Sequence, residues 1–481
     1  MKNSNVKCLW RWALLISLVI LVAGAMIGCG GGSGHSNSLP ATPAAANATS
    51  VLVNMGDSPS DPVMALSMTV SAMSFTNSSG TSVAALSSPM TLEMLHLMGT
   101  MQAVAMPKLP QGTYTQMSAT ISSALVTYVD PTTHNIVQKT VNGPMTANIP
   151  LSPAFTVGIP AMIMNLDMDV ASSVSFDASG NVSMTPTFRP FANEATANAT
   201  DPEHGGMMHL IGSVNSTSGN SFGMSTLAGL QFNMTASSGT QFQGMGGMGS
   251  MGNGMILMVN AMLQPDGSIN TQNIQHMMDR GGSLAMGTVS STTGAPVTQL
   301  SLVPMDGIGS GMMSSVLADG MTIAVGPGTT YSIDKGGVDT NVLPFTPMFD
   351  ATHVFAGQLV SSASTSGMSG SGGMMGGWMG GMTNAGTQNA SAMQLEPQGL
   401  NGTVSNYIAS AGTATFTLTI ASDSVFTKLT GATSVTVFQQ TGTQLRDLTS
   451  VTKASTVHVR GLLFLDSGIY KMVATRIVAA Q

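Results

Sequence analysis

The chain has 481 residues, too many for one hydrophobic core, so several domains are expected. Only 7% of residues are charged, the net charge is −7, and no basic stripe with interleaved aromatics occurs, which argues against a nucleic-acid partner. The polar surface must then come from Ser, Thr, Asn and Gly, a composition that suits an exported β-protein better than a cytosolic enzyme.

In chain order, Lys2, Lys7 and Arg11 lead into the apolar run Trp12–Val22, followed by Ala23-Gly24-Ala25-Met26-Ile27-Gly28-Cys29. A basic segment, a short apolar segment and small residues before a cleavage point read as an export signal. A cysteine at that point resembles the lipobox of bacterial lipoproteins. The resemblance implies loss of residues 1–28, lipidation of Cys29, and residues 29–49 as a Gly/Ser/Pro-rich tether. Of the two cysteines, Cys8 would leave with the signal, so no disulfide or thiolate metal site is expected. Gly30 resembles the residue that follows the cysteine in lipoproteins sorted to the outer membrane. The expected location is therefore the cell envelope, on its periplasmic or surface face, with the membrane reached through the lipid.

Residues 50–190 show period-two patterning. Met64, Leu66, Met68 and Val70 alternate with Ala65, Ser67 and Thr69, and Met117, Ala119 and Ile121 alternate with Ser118, Thr120 and Ser122. Such alternation predicts strands with one buried face. Asn77-Ser78-Ser79-Gly80, Asp130-Pro131 and Asp177–Asn181 mark turns, and only Met90–Met106 reads as a short helix. An antiparallel β-sandwich is expected. The stretch Leu109-Pro110-Gln111-Gly112-Thr113-Tyr114 resembles the Pro-x-Gly-x-Tyr turn of prealbumin-like and carboxypeptidase-regulatory-like sandwiches. With Val51–Asp57 it resembles an uncharacterised domain family of bacterial lipoproteins, which implies no catalytic residue.

Residues 191–206 read as a linker, and three repeats follow at 207–282, 283–398 and 399–481. They open alike: Leu210-Ile211-Gly212-Ser213-Val214, Ala285-Met286-Gly287-Thr288-Val289 and Leu400-Asn401-Gly402-Thr403-Val404. A hydroxyl-x-aromatic step comes next: Thr240-Gln241-Phe242, Thr329-Thr330-Tyr331 and Ser424-Val425-Phe426. Each repeat closes with a hairpin, expanded in the second by a Gly/Met-rich insert over 361–389. This pattern resembles a second uncharacterised module, found in tandem in exported bacterial proteins and similar to a small OB-like barrel. The predicted fold is all-β: an N-terminal antiparallel sandwich and three tandem small barrel-like modules. OB-like barrels bind oligosaccharides or oligonucleotides on one face, and the stacking aromatics needed for nucleic acid are missing here.

The 42 methionines are the chemical anomaly. Met245, Met248 and Met251 lie in one Gly-rich segment, and Met374, Met375 and Met379 in another, where a glycine coil is not expected to bury them. His204, Met207, Met208 and His209 form a nearby grouping, as do His276 and Met277. Thioether and imidazole ligands suit Cu(I) or Ag(I). Compositional drift and a reversible oxidant sink are the competing readings. Gly244–Gly249 matches G-x-G-x-x-G and Gly219–Gly223 matches the nucleophile elbow, both outside any strand-to-helix unit, so neither is adopted. Asp167 and Asp169 share a strand face and read as exposed polar residues rather than a glycosidase pair. Asp57 and Asp61 read as turn residues, and His458 as a surface residue. No catalytic residue or organic cofactor is predicted. The function expected is a non-catalytic, lipid-anchored envelope protein that binds a glycan, peptide or protein. Cu(I) or Ag(I) binding is the alternative, and a methionine oxidant sink a further one.

Overall fold

The computed structural model describes residues 47–479 apart from 59–61, 96–100, 131, 134, 178–179, 197–206, 227–228, 279–282, 309–319, 336, 365–386, 411 and 447. The described residues are all-β, with two short helices among them. No helix among the described residues is long and apolar enough to cross a membrane.

The first domain carries β1 (Ala48–Ser58), β2 (Val63–Asn77), β3 (Ser82–Ala84), β4 (Met90–Glu93), β5 (Gln102–Ala105), β6 (Lys108–Pro110), β7 (Gly112–Val129) and β8 (Ile136–Val157). Then come β9 (Met162–Asp169), α1 (Val170–Ser173), β10 (Val174–Phe176), β11 (Val182–Met184) and β12 (Phe188–Glu194). One sheet runs β12-β9-β1-β5 with β6 beside β1, and the other runs β3-β2-β7-β8 with β4 beside β2. Alternate residues of both sheets, among them Val53, Met55, Met164 and Leu166 from one and Met68, Val70, Met117 and Ile121 from the other, fill a single core. Pairing is antiparallel except between β1 and β9.

Where a helix is expected over Met90–Met106, the chain forms β4 at Met90–Glu93 and β5 at Gln102–Ala105; residues 96–100 of that stretch lie outside the described residues. Met90 and Leu92 point inward while Thr91 points out, and Leu92 pairs with Met68 of β2. Strand pairing outweighs the local helical preference here. The Pro-x-Gly-x-Tyr turn has a mechanical role: it carries the chain from β6 in one sheet to β7 in the other. The Tyr114 hydroxyl donates to the Pro110 carbonyl at 2.8 Å, and its ring packs on Phe75 and Phe155. This is the geometry of a tyrosine corner.

Three closed barrels follow. The first is built from β13 (Met207–Ser218), β14 (Ser221–Thr226), β15 (Gln231–Gln243), β16 (Ile256–Leu263) and β17 (Ile269–Met278). The second uses β18 (Ser283–Thr293), β19 (Gln299–Ile308), β20 (Met321–Ile333), β21 (Leu359–Ser364) and β22 (Thr387–Leu395). The third uses β23 (Gln398–Ser410), β24 (Thr413–Thr419), β25 (Ser434–Arg446), β26 (Thr456–Asp466) and β27 (Ile469–Ala479), with α2 (Val425–Thr430) between β24 and β25. The strand order is the same in all three, and each contains one parallel pair: β15–β17, β20–β22 and β25–β27.

The Gly-x-Val openings have a steric cause. A Cβ on Gly212, Gly287 or Gly402 would sit 2.2, 2.1 or 2.3 Å from the backbone oxygen of Ser225, Val303 or Thr419. The valine two residues on (Val214, Val289, Val404) is buried in its barrel core.

The parallel pairs all slip register at one place: between Ala236 and Gln241, Val325 and Thr330, and Gln439 and Gln444. A Gly-Thr dipeptide closes each of these bulges. The hydroxyls of Thr240, Thr329 and Thr443 accept from the backbone N–H of Ser237, Gly326 and Gln440 at 2.8, 3.1 and 2.8 Å. They donate across to the carbonyls of Thr271, Ala390 and Ala474 at 2.7, 2.8 and 2.8 Å. The third step is therefore Thr443-Gln444-Leu445, and the assignment to Ser424-Val425-Phe426 is corrected. Ser424 instead caps α2, accepting from Phe426 N–H at 3.2 Å. The aromatic cue misled because the third barrel has Leu445 where the others have Phe242 and Tyr331.

The domains share cores. Leu52, Ala103, Ala161 and Ile163 of the sandwich join the barrel 1 cluster, and Ala161 N–H donates to Pro265 O at 2.9 Å. Leu462, Phe464 and Val473 of barrel 3 belong to the barrel 2 cluster. The buried Gln358 of barrel 2 donates to Leu463 O at 3.1 Å. Met64 and Val129 of the sandwich meet Val303 of barrel 2 and Val425 and Leu429 of barrel 3.

Candidate functional site

Among the described residues, two places that concentrate polar side chains stand out. The first is a buried charge cluster where the sandwich, barrel 2 and barrel 3 meet. Arg460 of β26 lies in the field of Asp57 at the end of β1 and of Asp334 and Glu396 flanking β20 and β22. Glu93 and Asp167 add negative charge around Asp57. Asp57 is 5% exposed and both its carboxylate oxygens are out of solvent, so it is no turn residue and that expectation is corrected. Burial first, then the neighbouring Glu93 and Asp167, push its carboxyl well above the usual range, and Arg460 offsets only part of this. Burial and Asp334 raise Glu396 to about 8, against the opposing pull of the Ser361 hydroxyl, which donates to it at 2.6 Å, and of Arg460. The guanidinium itself is lowered by burial and held up by Asp334, Glu396 and Asp57. Burial, with the neighbouring carboxylates, thus favours the protonated forms of Asp57 and Glu396.

His458, two residues before Arg460, is half-buried against the Asn401 carboxamide rather than a surface residue, and burial lowers its pKa. Asp169 caps α1, accepting from Ser172 N–H at 2.9 Å, and pairs with Arg189 at 3.3 Å. Asp169 is thus taken up by capping and an ion pair, while Asp167 adds to the charge around Asp57. Among the described residues, no three His, Cys, Asp or Glu side chains group to hold a metal ion.

The second place is an open pocket of about 420 Å³ beside the bulge of barrel 1. Ser237 and Gly239 of the bulge, Gln241 just after it, Asn260 of β16, and Thr271 and Asn273 of β17 form its wall. No lining group is charged. Asn273 Oδ1 is buried without a hydrogen-bond partner, and Asn260 Oδ1 is held by the His209 ring.

No known family model and no curated protein matches the chain.

The methionine and histidine candidates fall into several surroundings. Met251 is buried in the barrel 1 core, and Met245, Met248 and Met255 pack half-buried against it, around the 3-10 turn Met248–Ser250. The expectation that a glycine coil leaves these thioethers unburied is therefore corrected. The Gly-rich segment between β15 and β16 lies directly over the apolar barrel interior. Met208 is fully buried in that core, while His209, one residue on, lies on the other face of β13. Met207 opens β13. His276 and Met277 are half-buried in β17, and Met277 packs on Ile256 and Leu284. Cys29, His204, Met374, Met375 and Met379 lie outside the described residues. Sequence reasoning missed Arg460, Glu396 and the Asn260/Asn273 pair. The signal that finds the pocket is the recurring Gly-Thr step, because the residue after it lines the pocket in barrel 1.

Proposed function

We propose that the protein is a non-catalytic cell-envelope protein, anchored through a lipid on Cys29, that holds a ligand on a rigid array of β-domains. The observation that carries this reading is the contrast between its two polar places. Asp57, Glu396 and Arg460, whose protonation burial shifts, are enclosed at a junction between domains, whereas the pocket described beside barrel 1 has no titratable side chain in its lining. A site without an acid, base or nucleophile of shifted pKa is suited to holding a ligand rather than transforming it. Shared cores between neighbouring domains support a body that keeps its geometry. Tandem five-stranded barrels also agree with the resemblance to lipoprotein modules of uncharacterised function. The low charge and the lipobox-like Gly28-Cys29 support an exported, anchored chain.

The test has two arms. Full-length protein and Cys29→Ser are expressed in a Gram-negative host with labelled palmitate. Label and membrane association lost in the variant support the anchor, while an unlabelled wild-type chain overturns it. Screening the purified full chain on arrays of neutral and charged glycans and peptides tests the binding role, and a blank on every array overturns it.

A further inference from the structure

We infer that the pocket beside the barrel 1 bulge is a binding site for a neutral, hydroxyl-rich sugar unit. The inference rests on the ligand-binding reading above and gives it a place and a chemistry.

The three barrels provide an internal comparison. Asn260 and Asn273 are direct partners across β16 and β17, as Ala363 and Ala392 are across β21 and β22, and Arg460 and Arg476 across β26 and β27. On the parallel side, Gln241 faces Asn273, Thr330 faces Ala392, and Gln444 faces Arg476. In barrel 3 this position is filled: Arg476 donates to Gln444 Oε1 at 3.1 and 2.8 Å. The bulge of barrel 3 is covered as well. Gln440 exchanges two hydrogen bonds with the backbone of Asp339 in barrel 2, at 3.0 and 2.7 Å. Barrel 1 keeps the glutamine but has the shorter Asn273 where barrel 3 has arginine, and the bulge beside it lines an open pocket. The space left is lined by Gln241, Asn260 and Asn273.

The lining selects the ligand class. Nothing in it offsets the desolvation of a charged group. No large apolar side chain lines the pocket to pack against an apolar ligand. A peptide that docks by strand addition needs a free sheet edge, and a closed barrel offers none. Carboxamides offer donor and acceptor from one head group, which matches hydroxyls that both donate and accept. The 420 Å³ lies in the lower part of the range for small-molecule sites, space for about one or two sugar rings.

The full chain is titrated calorimetrically with maltose, cellobiose and diacetylchitobiose, and with glucuronate as a charged control. Two variants accompany it. Asn273→Arg copies the Arg476–Gln444 arrangement that barrel 3 already accommodates, and Gln241→Ala removes an exposed amide. At least one neutral probe is expected to bind at millimolar concentration or below, glucuronate more weakly, and both variants to lose tenfold or more with melting temperatures unchanged. No neutral probe binding, or binding that both variants retain, overturns the inference. Glycan binding that survives both variants leaves the ligand-binding reading standing and refutes this site alone. A blank here together with blank arrays refutes both.

Discussion

Replacing Glu396 by glutamine tests the buried charge cluster. The group is 5% exposed, accepts from Ser361, and faces Asp334 and Arg460. Its pKa rises from an ordinary 4.5 to about 8. A carboxyl raised on folding binds its proton more tightly in the native than in the unfolded state. Its stabilising contribution is therefore complete below the unfolded value and is lost as pH climbs through the folded one. At about 1.4 kcal/mol per pKa unit, the loss between pH 4.5 and pH 8 has an upper bound on the order of 5 kcal/mol. Glutamine keeps the acceptor for Ser361 and carries no charge to expel. Glu396→Gln is expected to match wild type at pH 5 and to exceed it at pH 9. Over a cooperative unit of about 150–250 residues, that bound corresponds to at most roughly 10–20 °C in melting temperature. Thermal melts of both chains at pH 5, 7 and 9 read it out. A difference that does not change with pH, or a wild type that is the more stable at pH 9, would refute the assignment of a protonated carboxyl at the junction.

Three further outcomes are expected. Thr443→Val removes both hydrogen bonds of its bulge and is expected to cost about 1–3 kcal/mol in urea unfolding, with Thr443→Ser close to wild type. Gly287→Ala places a Cβ 2.1 Å from Val303 O, with an expected loss of about 1–3 kcal/mol or more, whereas Gly249→Ala, whose Cβ meets nothing within 4 Å, is silent in the same assay. Met251→Leu is expected to change stability by less than about 1.5 kcal/mol. A Cu(I) competition titration of that variant checks the metal reading directly, since unchanged affinity would exclude the Met251 thioether as a ligand.

The period-two patterning made the all-β class legible, because a half-buried strand writes its inner face into every second residue, as Met117, Ala119 and Ile121 do. The repeat openings were legible too, since close strand approach leaves glycine little alternative at Gly212, Gly287 and Gly402. Local pattern failed where a distant partner decides the outcome. Met90 and Leu92 are strand residues because β2 pairs with them. Asp57 reads as a turn residue beside Ser-Pro-Ser, yet it is buried and lies in the field of Arg460, some four hundred residues downstream. The pocket was not legible for the same reason. Its walls come from three strands, and its emptiness is defined only by contrast with Arg476 in the third barrel. The Met-rich segment misled because glycine content signals coil without saying what lies beneath it.

Shared cores also govern which pieces of this chain can exist separately. The interior of barrel 2 is completed by Leu462, Phe464 and Val473, which arrive only with β26 and β27. The same two strands close barrel 3 and supply Arg460 to the junction. A cut after Gln398, which looks like a clean boundary between repeats, would leave the preceding barrel with an open apolar side and the junction carboxyls without their guanidinium. The repeats are thus alike in their strand order but not exchangeable. Shuffling or excising one of them is a change to its neighbour's interior, and a nonsense mutation near the final hairpin acts on two modules at once.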